Sequence, residues 1–264
     1  MARLFAANLI HVGFALLGLA VLLALFHIQE RATSRYLAHR LGWRSVLLTG
    51  WLGVAVHELS HLFFAKLFGH RIIAWKLFDP DPISSTLGYV RHAYRRRSLW
   101  QLVGTFFIGV APLCAGAFVF FGLLHWMLPS SVLTELMRRM LVLRQTDSIG
   151  GGLRGLGDIG FWLSATAWAH RTAMLPLQLY IGICIANHIA PSPVDLVGAF
   201  PGALFVVMLL VLGTGIASSQ GVSLAWTLGM LIPPSLLFLM VAAFQILYLA
   251  TVALVGRISR GFPH

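Results

Sequence analysis

Six apolar runs, each close to or beyond the ~20 residues that cross a bilayer as a helix, constrain the fold of this chain more than any other feature. They cover roughly residues 4–28, 46–68, 99–127, 175–190, 199–216 and 236–255. Charged residues make up only 10% of the 264-residue chain, whereas a soluble domain is about one quarter charged. We therefore expect an all-α polytopic membrane protein with about six transmembrane helices, forming a single integral membrane domain over residues 1–264.

The chain is also strongly basic, with 19 lysine and arginine residues against 8 acidic residues and a formal net charge of +11. On a soluble protein this surplus would indicate nucleic acid, but beside a membrane the anionic lipid headgroups are the simpler partner. We expect contact with the lipid bilayer, no nucleic acid, and a location in a bacterial cytoplasmic membrane. With six spans the cations divide almost evenly between the two sides, so charge does not fix the orientation.

A short polar segment separates the second run from the third. Turn-forming residues at 79–82 precede a β-prone stretch at 86–91, and this order is typical of a reversal followed by a strand. It predicts a small β-hairpin between spans two and three.

The segment after the third run combines apolar and basic residues. Apolar side chains recur at helical spacing from Leu133 to Leu141, opposite Arg138, Arg139 and Arg144. This pattern predicts an amphipathic helix on the membrane surface. Six glycines between residues 150 and 160 follow it, and they predict a mobile loop.

The fourth run is short and leads into Pro191, Pro193 and Pro201 while its surroundings remain apolar. The backbone is therefore expected to break at membrane depth. Such a break is tolerated only where protein or a wet cavity surrounds it.

The pentapeptide His57-Glu58-Leu59-Ser60-His61 in the second run carries the strongest chemical signal. On a helix, the i, i+4 spacing puts both imidazoles on one face about one turn apart, as a shared zinc ion requires. Glu58 is then placed to act on water at the metal. This composition predicts roughly 0.005 such pentapeptides by chance, so a zinc site is favoured over histidines that only hydrogen-bond between helices.

A catalytic zinc site normally has three protein ligands, so two histidines leave one position to fill. Apart from Glu58, Asp195 is the only acid inside the apolar runs or the break between them, where an ionisable group is costly and functional by default. We predict that Asp195 is the third ligand. Two alternatives remain open: Asp195 caps a helix after the proline turn, or His188, which could also only hydrogen-bond between helices, is the ligand.

These residues resemble the site-2 protease family of intramembrane zinc metalloproteases. The zinc motif of that family, which lies in a transmembrane helix, matches His57, Glu58 and His61. Its second motif has an Asn, a proline-containing turn and an Asp eight residues after the Asn. The segment from Asn187 to Asp195 keeps that separation, although the residues around the Asp differ from the family's Leu-Asp-Gly.

Two intermediate elements extend the resemblance to about residues 46–200. Leu87-Gly88-Tyr89-Val90 is similar to the family's Gly-Gly-Tyr-Val strand, and residues 109–113 are similar to its third core helix. The resemblance implies a zinc metalloendopeptidase that cleaves peptide bonds within or near the transmembrane segment of a single-span membrane protein. Gly88, Tyr89 and Val90 would then pair with the extended substrate, or alternatively form an ordinary surface hairpin.

The resemblance also assigns roles around the metal. Glu58 would be the general base, and His57, His61 and Asp195 would be the zinc ligands. Asn187 would donate a hydrogen bond to the oxyanion or the substrate backbone, or it would satisfy backbone groups that the prolines leave free.

Two other functional classes fit the same residues. A non-catalytic membrane scaffold or adaptor would retain the protease fold, and a transporter or proton relay would use the same His, Glu and Asp. The transporter would not require the i, i+4 histidine pair.

Overall fold

The computed structural model describes residues 1–42, 44–81, 86–146 and 148–258. Over these ranges the chain forms eight α-helices, one 3₁₀ helix and one antiparallel pair of strands. In chain order the elements are α1 (Ala2–Leu41), α2 (Arg44–Leu67), β1 (Arg71–Lys76), β2 (Tyr89–Ala93), α3 (Leu99–Met127), α4 (Ser130–Leu143), α5 (Ile149–Ala169), α6 (Leu175–Ala186), α7 (Pro193–Ser219), the 3₁₀ helix (Ala225–Leu231) and α8 (Ile232–Ile258).

Five helical segments in the described ranges are long and apolar enough to cross a membrane. They are α1, α2, α3, α7, and the 3₁₀ helix together with α8. The expectation of an all-α polytopic membrane protein is therefore confirmed. The prediction of a fourth span at residues 175–190 is wrong. The helix found there, α6, has only 12 residues, or about 18 Å of helix, whereas the hydrocarbon core is about 30 Å thick.

The predicted break in the backbone is found between α6 and α7. Asn187 caps the end of α6, and α7 begins at Pro193, which suits the first helical position because proline has no N–H to leave unpaired there. Pro201 does not belong to the break and lies inside α7. Close packing of α7 against α3 keeps this part of the chain helical despite the proline.

The hairpin predicted between the second and third spans is confirmed. Strands β1 and β2 pair antiparallel from Arg71 with Ala93 to Lys76 with Tyr89, with an irregularity between Ile72 and Ala74. Both strands pack against α2, which brings the hairpin beside the helix that carries the histidine pair. The last residue of the predicted turn, Pro82, lies outside the described residues.

The amphipathic helix after the third span is confirmed as α4, but the predicted glycine-rich loop at residues 150–160 is wrong. These glycines lie in α5, whose first turn is capped by the Ser148 hydroxyl. Apolar residues of α5, Ile159 and Leu163, are buried against α4 and α8. This tertiary packing outweighs the intrinsic cost of glycine in a helix, about 1 kcal/mol per residue relative to alanine.

The interior of the protein is organised around α2, α3, α6 and α7, which pack on one another. At Gly109 of α3 a side chain would collide with the Cβ of Ala199 and the carbonyl oxygen of Asp195. The missing side chain therefore lets the first turns of α7 approach α3 closely. α1 is tied to this core through Gln245 of α8, which accepts a hydrogen bond from Thr33 at 3.2 Å and donates one to the Ala186 carbonyl at 2.7 Å.

Candidate metal centre

The histidine pair predicted from the sequence lies on one face of α2. The ring centroids of His57 and His61 are 4.8 Å apart, as expected for residues one turn apart on a helix. His61 is buried, and His57 is half-buried beside a cavity. The motif is thus helical and inside the protein, so both imidazoles can act on the same small volume.

Asp195 meets both histidines although 134 residues separate it from His61. Its Oδ2 lies 3.5 Å from Nε2 of His57, and its Oδ1 lies 3.3 Å from Nε2 of His61. Two ligands at ~2.0–2.1 Å from a tetrahedral zinc ion are about 3.4 Å apart, which agrees with both distances. The three residues form a group that can hold a metal ion.

The helix cap considered for Asp195 is also present, and it helps to fix the carboxylate. Ser192 is the N-cap of α7, and Asp195 is the third residue of a capping box. The Ser192 N–H donates to Asp195 Oδ2 at 2.7 Å, and the Asp195 N–H donates to the Ser192 hydroxyl at 3.2 Å. Asp195 can therefore cap α7 and face the histidines at the same time, because the cap uses Oδ2 and leaves Oδ1 for another partner.

Backbone carbonyls orient both imidazoles toward Asp195. Nδ1 of His57 lies 2.8 Å from the His188 carbonyl oxygen, and Nδ1 of His61 lies 2.8 Å from that of Ile108. A carbonyl only accepts, so each Nδ1 carries the proton, and each neutral ring has a lone pair on Nε2. This is the arrangement by which proteins orient histidine ligands of metals.

The donor atoms fit a metal ion better than a purely structural hydrogen-bond network. With its proton on Nδ1, buried His61 faces the Asp195 carboxylate through Nε2 at 3.3 Å with no hydrogen between the two acceptor atoms, which is costly unless a cation satisfies both. Two imidazole nitrogens and one carboxylate oxygen are donor atoms of the kind that zinc binds.

Glu58 lies between the metal group and the hairpin. Its side chain is 8% exposed, and it borders the same cavity as His57. A methyl group placed on Gly88 would come within 2.9 Å of the Glu58 Cγ and of the Lys76 and Leu77 carbonyl oxygens. The absence of a side chain at Gly88 is therefore what lets the chain before β2 pack directly against the glutamate.

A cavity of about 300 Å³ gives access to Glu58 and His57. Its walls come from α1, α2, the chain before β2 and the connection between α6 and α7. The residues that line it are His27, Glu30, Arg31, Ser34, Val54, His57, Glu58, Leu87, Gly88, His188, Ala190, Ser192 and Pro193.

Glu30 is the residue in this cavity that sequence reasoning missed. The first apolar run ends near residue 28, so Glu30 reads as the start of a polar loop. In the structure α1 continues to Leu41 and carries Glu30 into the wall of the cavity. A helical continuation of the run through residues 29–41, which contain no Gly or Pro, is the signal that could have found it.

The other predicted residues have separate contacts. The His188 carbonyl accepts from His57, and Nε2 of His188 lies 3.3 Å from the Thr49 hydroxyl on α2. The predicted interhelix hydrogen bond is therefore found, and His188 is not part of the metal group.

Asn187 is buried, and its Nδ2 donates to the Ile183 carbonyl at 2.9 Å. Its Oδ1 has no hydrogen-bond partner. Its catalytic role stays a prediction.

A second histidine pair anchors the hairpin. His70 donates from Nε2 to the Gln101 carbonyl at 2.8 Å, and its Nδ1 lies 3.0 Å from Nδ1 of His92. Burial lowers the pKa of His70. Burial, followed by the charges of His70 and His61, lowers the pKa of His92 to about 4. Both rings are therefore neutral near pH 7, and one Nδ1–H can donate to the unprotonated Nδ1 of the other ring.

Comparison of the chain with protein-family models, with curated proteins and with solved structures gave no match. Function is therefore inferred from the chemistry of the metal centre. The structure brings together three residues that could hold a metal ion, an adjacent buried glutamate and a cavity that reaches them.

Proposed function

We propose that this protein is an intramembrane zinc metalloprotease of the site-2 protease type, which hydrolyses peptide bonds within or near the transmembrane segment of a single-span membrane protein. One observation carries the proposal: His57, His61 and Asp195 converge on one small volume with their Nε2 and Oδ atoms facing each other. A cation between these facing acceptor atoms would satisfy all three residues at once.

His57, His61 and Asp195 would hold the zinc ion. When bound there, zinc supplies a Lewis acid that polarises the scissile carbonyl and lowers the pKa of water toward ~7. The carbonyls of His188 and Ile108 keep both rings in the tautomer that binds metal. The capping box holds Asp195 against the rings.

Glu58 is the general base in this proposal. It follows His57 directly in the chain and borders the cavity through which water and substrate would enter. Its carboxylate would take a proton from the attacking water and deliver it to the leaving amine. The contact with Gly88 restricts the volume that the glutamate can occupy, which favours a single orientation.

The hairpin is the proposed substrate clamp. A transmembrane substrate hides its peptide bonds in helical hydrogen bonds, so it must unwind before attack. In the described residues the sheet has two strands, so β2 keeps an edge without a strand partner. An extended substrate could pair along Gly88, Tyr89 and Val90 by strand addition, beside Glu58. Asn187 would assist by donating to the substrate backbone if its side chain released the Ile183 carbonyl.

The membrane assigned in this proposal is the bacterial cytoplasmic membrane. The described residues include five helices long and apolar enough to span a bilayer, and helical spans suit a lipid interior because they pair their backbone groups internally.

Replacement of Glu58 by Gln tests the proposal and separates an enzyme from a scaffold. The substitution keeps size and hydrogen bonding but removes the base, so we expect cleavage of a single-span substrate to fall by ~10² to 10⁴ with zinc content unchanged. Arg171→Gln also replaces a charged side chain by an amide, at an exposed position outside the metal centre, and should cleave normally. Zinc would be quantified in purified protein, and each variant would be tested for complementation of a deletion strain. Full complementation by Glu58→Gln would overturn the protease proposal.

A further inference from the structure

A basic cleft lies between α4 and α5, away from the metal centre. It has a volume of about 510 Å³. Three arginines border it, two from α4 and one from α5, and apolar side chains form part of its wall. These residues are Arg138, Arg139, Arg154, Val142, Leu143 and Ile159.

The arginines on α4 are held in place by one carboxylate. Glu135 accepts two hydrogen bonds from Arg138, at 2.7 and 2.8 Å, and one from Nε of Arg139 at 2.8 Å. The hydrogen bonds from Arg138, with those from Arg139, lower the pKa of Glu135 to about 2. The guanidinium of Arg139 also lies 4.4 Å from the centre of the Trp162 ring. Both arginines are thus oriented, and each retains N–H groups for another acceptor because a guanidinium has five.

The charge of the cleft is positive on balance. Arg154 on α5 adds a third guanidinium, and its Nε donates to the Gly150 carbonyl at 3.3 Å. Asp158 also borders the cleft, so two carboxylates, Glu135 and Asp158, oppose three arginines. Guanidinium groups bind phosphate through two parallel hydrogen bonds, which an ammonium cannot do.

Exposed apolar surface lies beside these charges inside the cleft. Val142, which borders the cleft on the same helix as Arg138 and Arg139, is 56% exposed. A free anion would gain nothing from this surface, whereas a lipid places a charged headgroup next to acyl chains.

We propose that the cleft between α4 and α5 is a binding site for an anionic phospholipid, with the phosphodiester on Arg139 and Arg154 and an acyl chain along Val142. The site is independent of the proposed protease activity, since none of these residues borders the metal centre. Bound lipid would join α4 to α5 at the membrane surface.

Binding would be measured on the full-length protein in detergent by titration with phosphatidylglycerol, and separately with phosphatidylcholine. We expect a preference for phosphatidylglycerol that the double variant Arg139→Gln, Arg154→Gln reduces roughly tenfold or more, because each arginine near a lipid surface contributes about 1 kcal/mol. Arg171→Gln is the matched control, since Arg171 also lies over a tryptophan ring, that of Trp168 at 4.6 Å, outside the cleft. It should bind as the parent protein does.

Three outcomes would overturn the lipid site. The first is that the double variant binds phosphatidylglycerol as the parent protein does. The second is that Arg171→Gln weakens binding equally, which would indicate general electrostatic attraction. The third is that inorganic phosphate displaces the lipid at equal concentration, which would indicate a free anion as the ligand. Circular dichroism of the double variant checks that it is folded, and Arg139→Lys with Arg154→Lys gives a second test: it keeps the charge and should recover only part of the affinity.

Discussion

The metal centre and the α4–α5 cleft are both polar regions in an apolar protein, but their side chains are fixed by different means. His57, His61 and Asp195 are held by groups from other elements or by a helix cap. Each cleft arginine is instead held from its own helix: Arg138 and Arg139 by Glu135, three and four residues away on α4, and Arg154 by the Gly150 carbonyl, four residues away on α5. Side chains fixed by distant elements are sensitive to any change in packing, whereas side chains fixed from their own helix keep their orientation when a neighbouring helix moves.

Glycines also differ between the metal centre and α5. Gly88 and Gly109 occupy positions where a side chain would collide with neighbouring backbone. In α5, a methyl group on Gly155, which borders the cleft, would meet only the side chain of Leu143, and Gly157, outside the cleft, faces open space. Substitutions at Gly88 and Gly109 should disturb the metal centre, and a substitution at Gly157 should leave the cleft unchanged.

The largest effect is expected for Asp195→Ala. The change removes a ligand and half of the capping box, so zinc should be lost and cleavage abolished. Ser192→Ala is the matched control, because it removes the other half of the cap and keeps the ligand. It should retain zinc while unfolding becomes easier by about 0.5–2 kcal/mol. Metal analysis and denaturation of both proteins measure this, and an Asp195→Ala protein with a full complement of zinc would contradict the ligand assignment.

Gly88→Ala should have the next largest effect, on catalysis alone. The new methyl group would lie 2.9 Å from Glu58 and from two carbonyl oxygens, so either the glutamate or the hairpin must shift. A misplacement of about 1 Å can reduce turnover ~10²-fold, and zinc content should not change. Gly122→Ala, on α3 where no atom lies within 4 Å of the added group, is the control. Equal cleavage rates for the two variants would show that catalysis does not depend on the absence of a side chain at Gly88.

Acidification should loosen the hairpin before it affects the helices. The pKa of His92 is lowered to about 4, whereas a histidine in the opened hairpin has a pKa near 6.5. The open form therefore binds more protons between these values, and the closed form loses stability as pH falls from about 6.5 toward 4. Hydrogen exchange of the β1 and β2 amides, corrected for intrinsic rates, should show opening that increases several-fold per pH unit. His92→Gln should weaken this dependence, and His39→Gln, an exposed site on α1, should not.

The smallest effect is expected within α5. Gly157→Ala adds a methyl group in open space and should stabilise the protein by about 0.5–1 kcal/mol, the difference in helix propensity. At Gly155 the same methyl group would collide with the buried Leu143 side chain. This collision should offset the gain in helix propensity. Thermal unfolding of the two variants would compare them. A stabilisation at both positions would mean that α4 and α5 pack less closely than the contact with Leu143 indicates.

Some features follow from the sequence because they depend on local spacing. The i, i+4 separation of His57 and His61 fixes their relative position on any helix. The apolar runs must be helices in lipid, since unpaired backbone groups are too costly there. The order of turn-forming and β-prone residues is enough to predict the hairpin. The amphipathic pattern of α4 is equally local.

Long-range packing decided what the sequence left open. Elimination predicts Asp195 as the third ligand, but only the close approach of α7 to α3 at Gly109 brings its carboxylate to the histidines.

Two predictions from local sequence are wrong: that α1 ends with its apolar run, and that residues 150–160 form a loop. In the structure α1 continues and carries Glu30 into the cavity, and α5 is helical because Ile159 and Leu163 are buried against other helices. Burial of apolar side chains contributes more free energy than the glycine propensities remove. Local sequence determines which segments can be helical and which side chains share a face, whereas tertiary contacts determine where a helix ends and which distant residues meet.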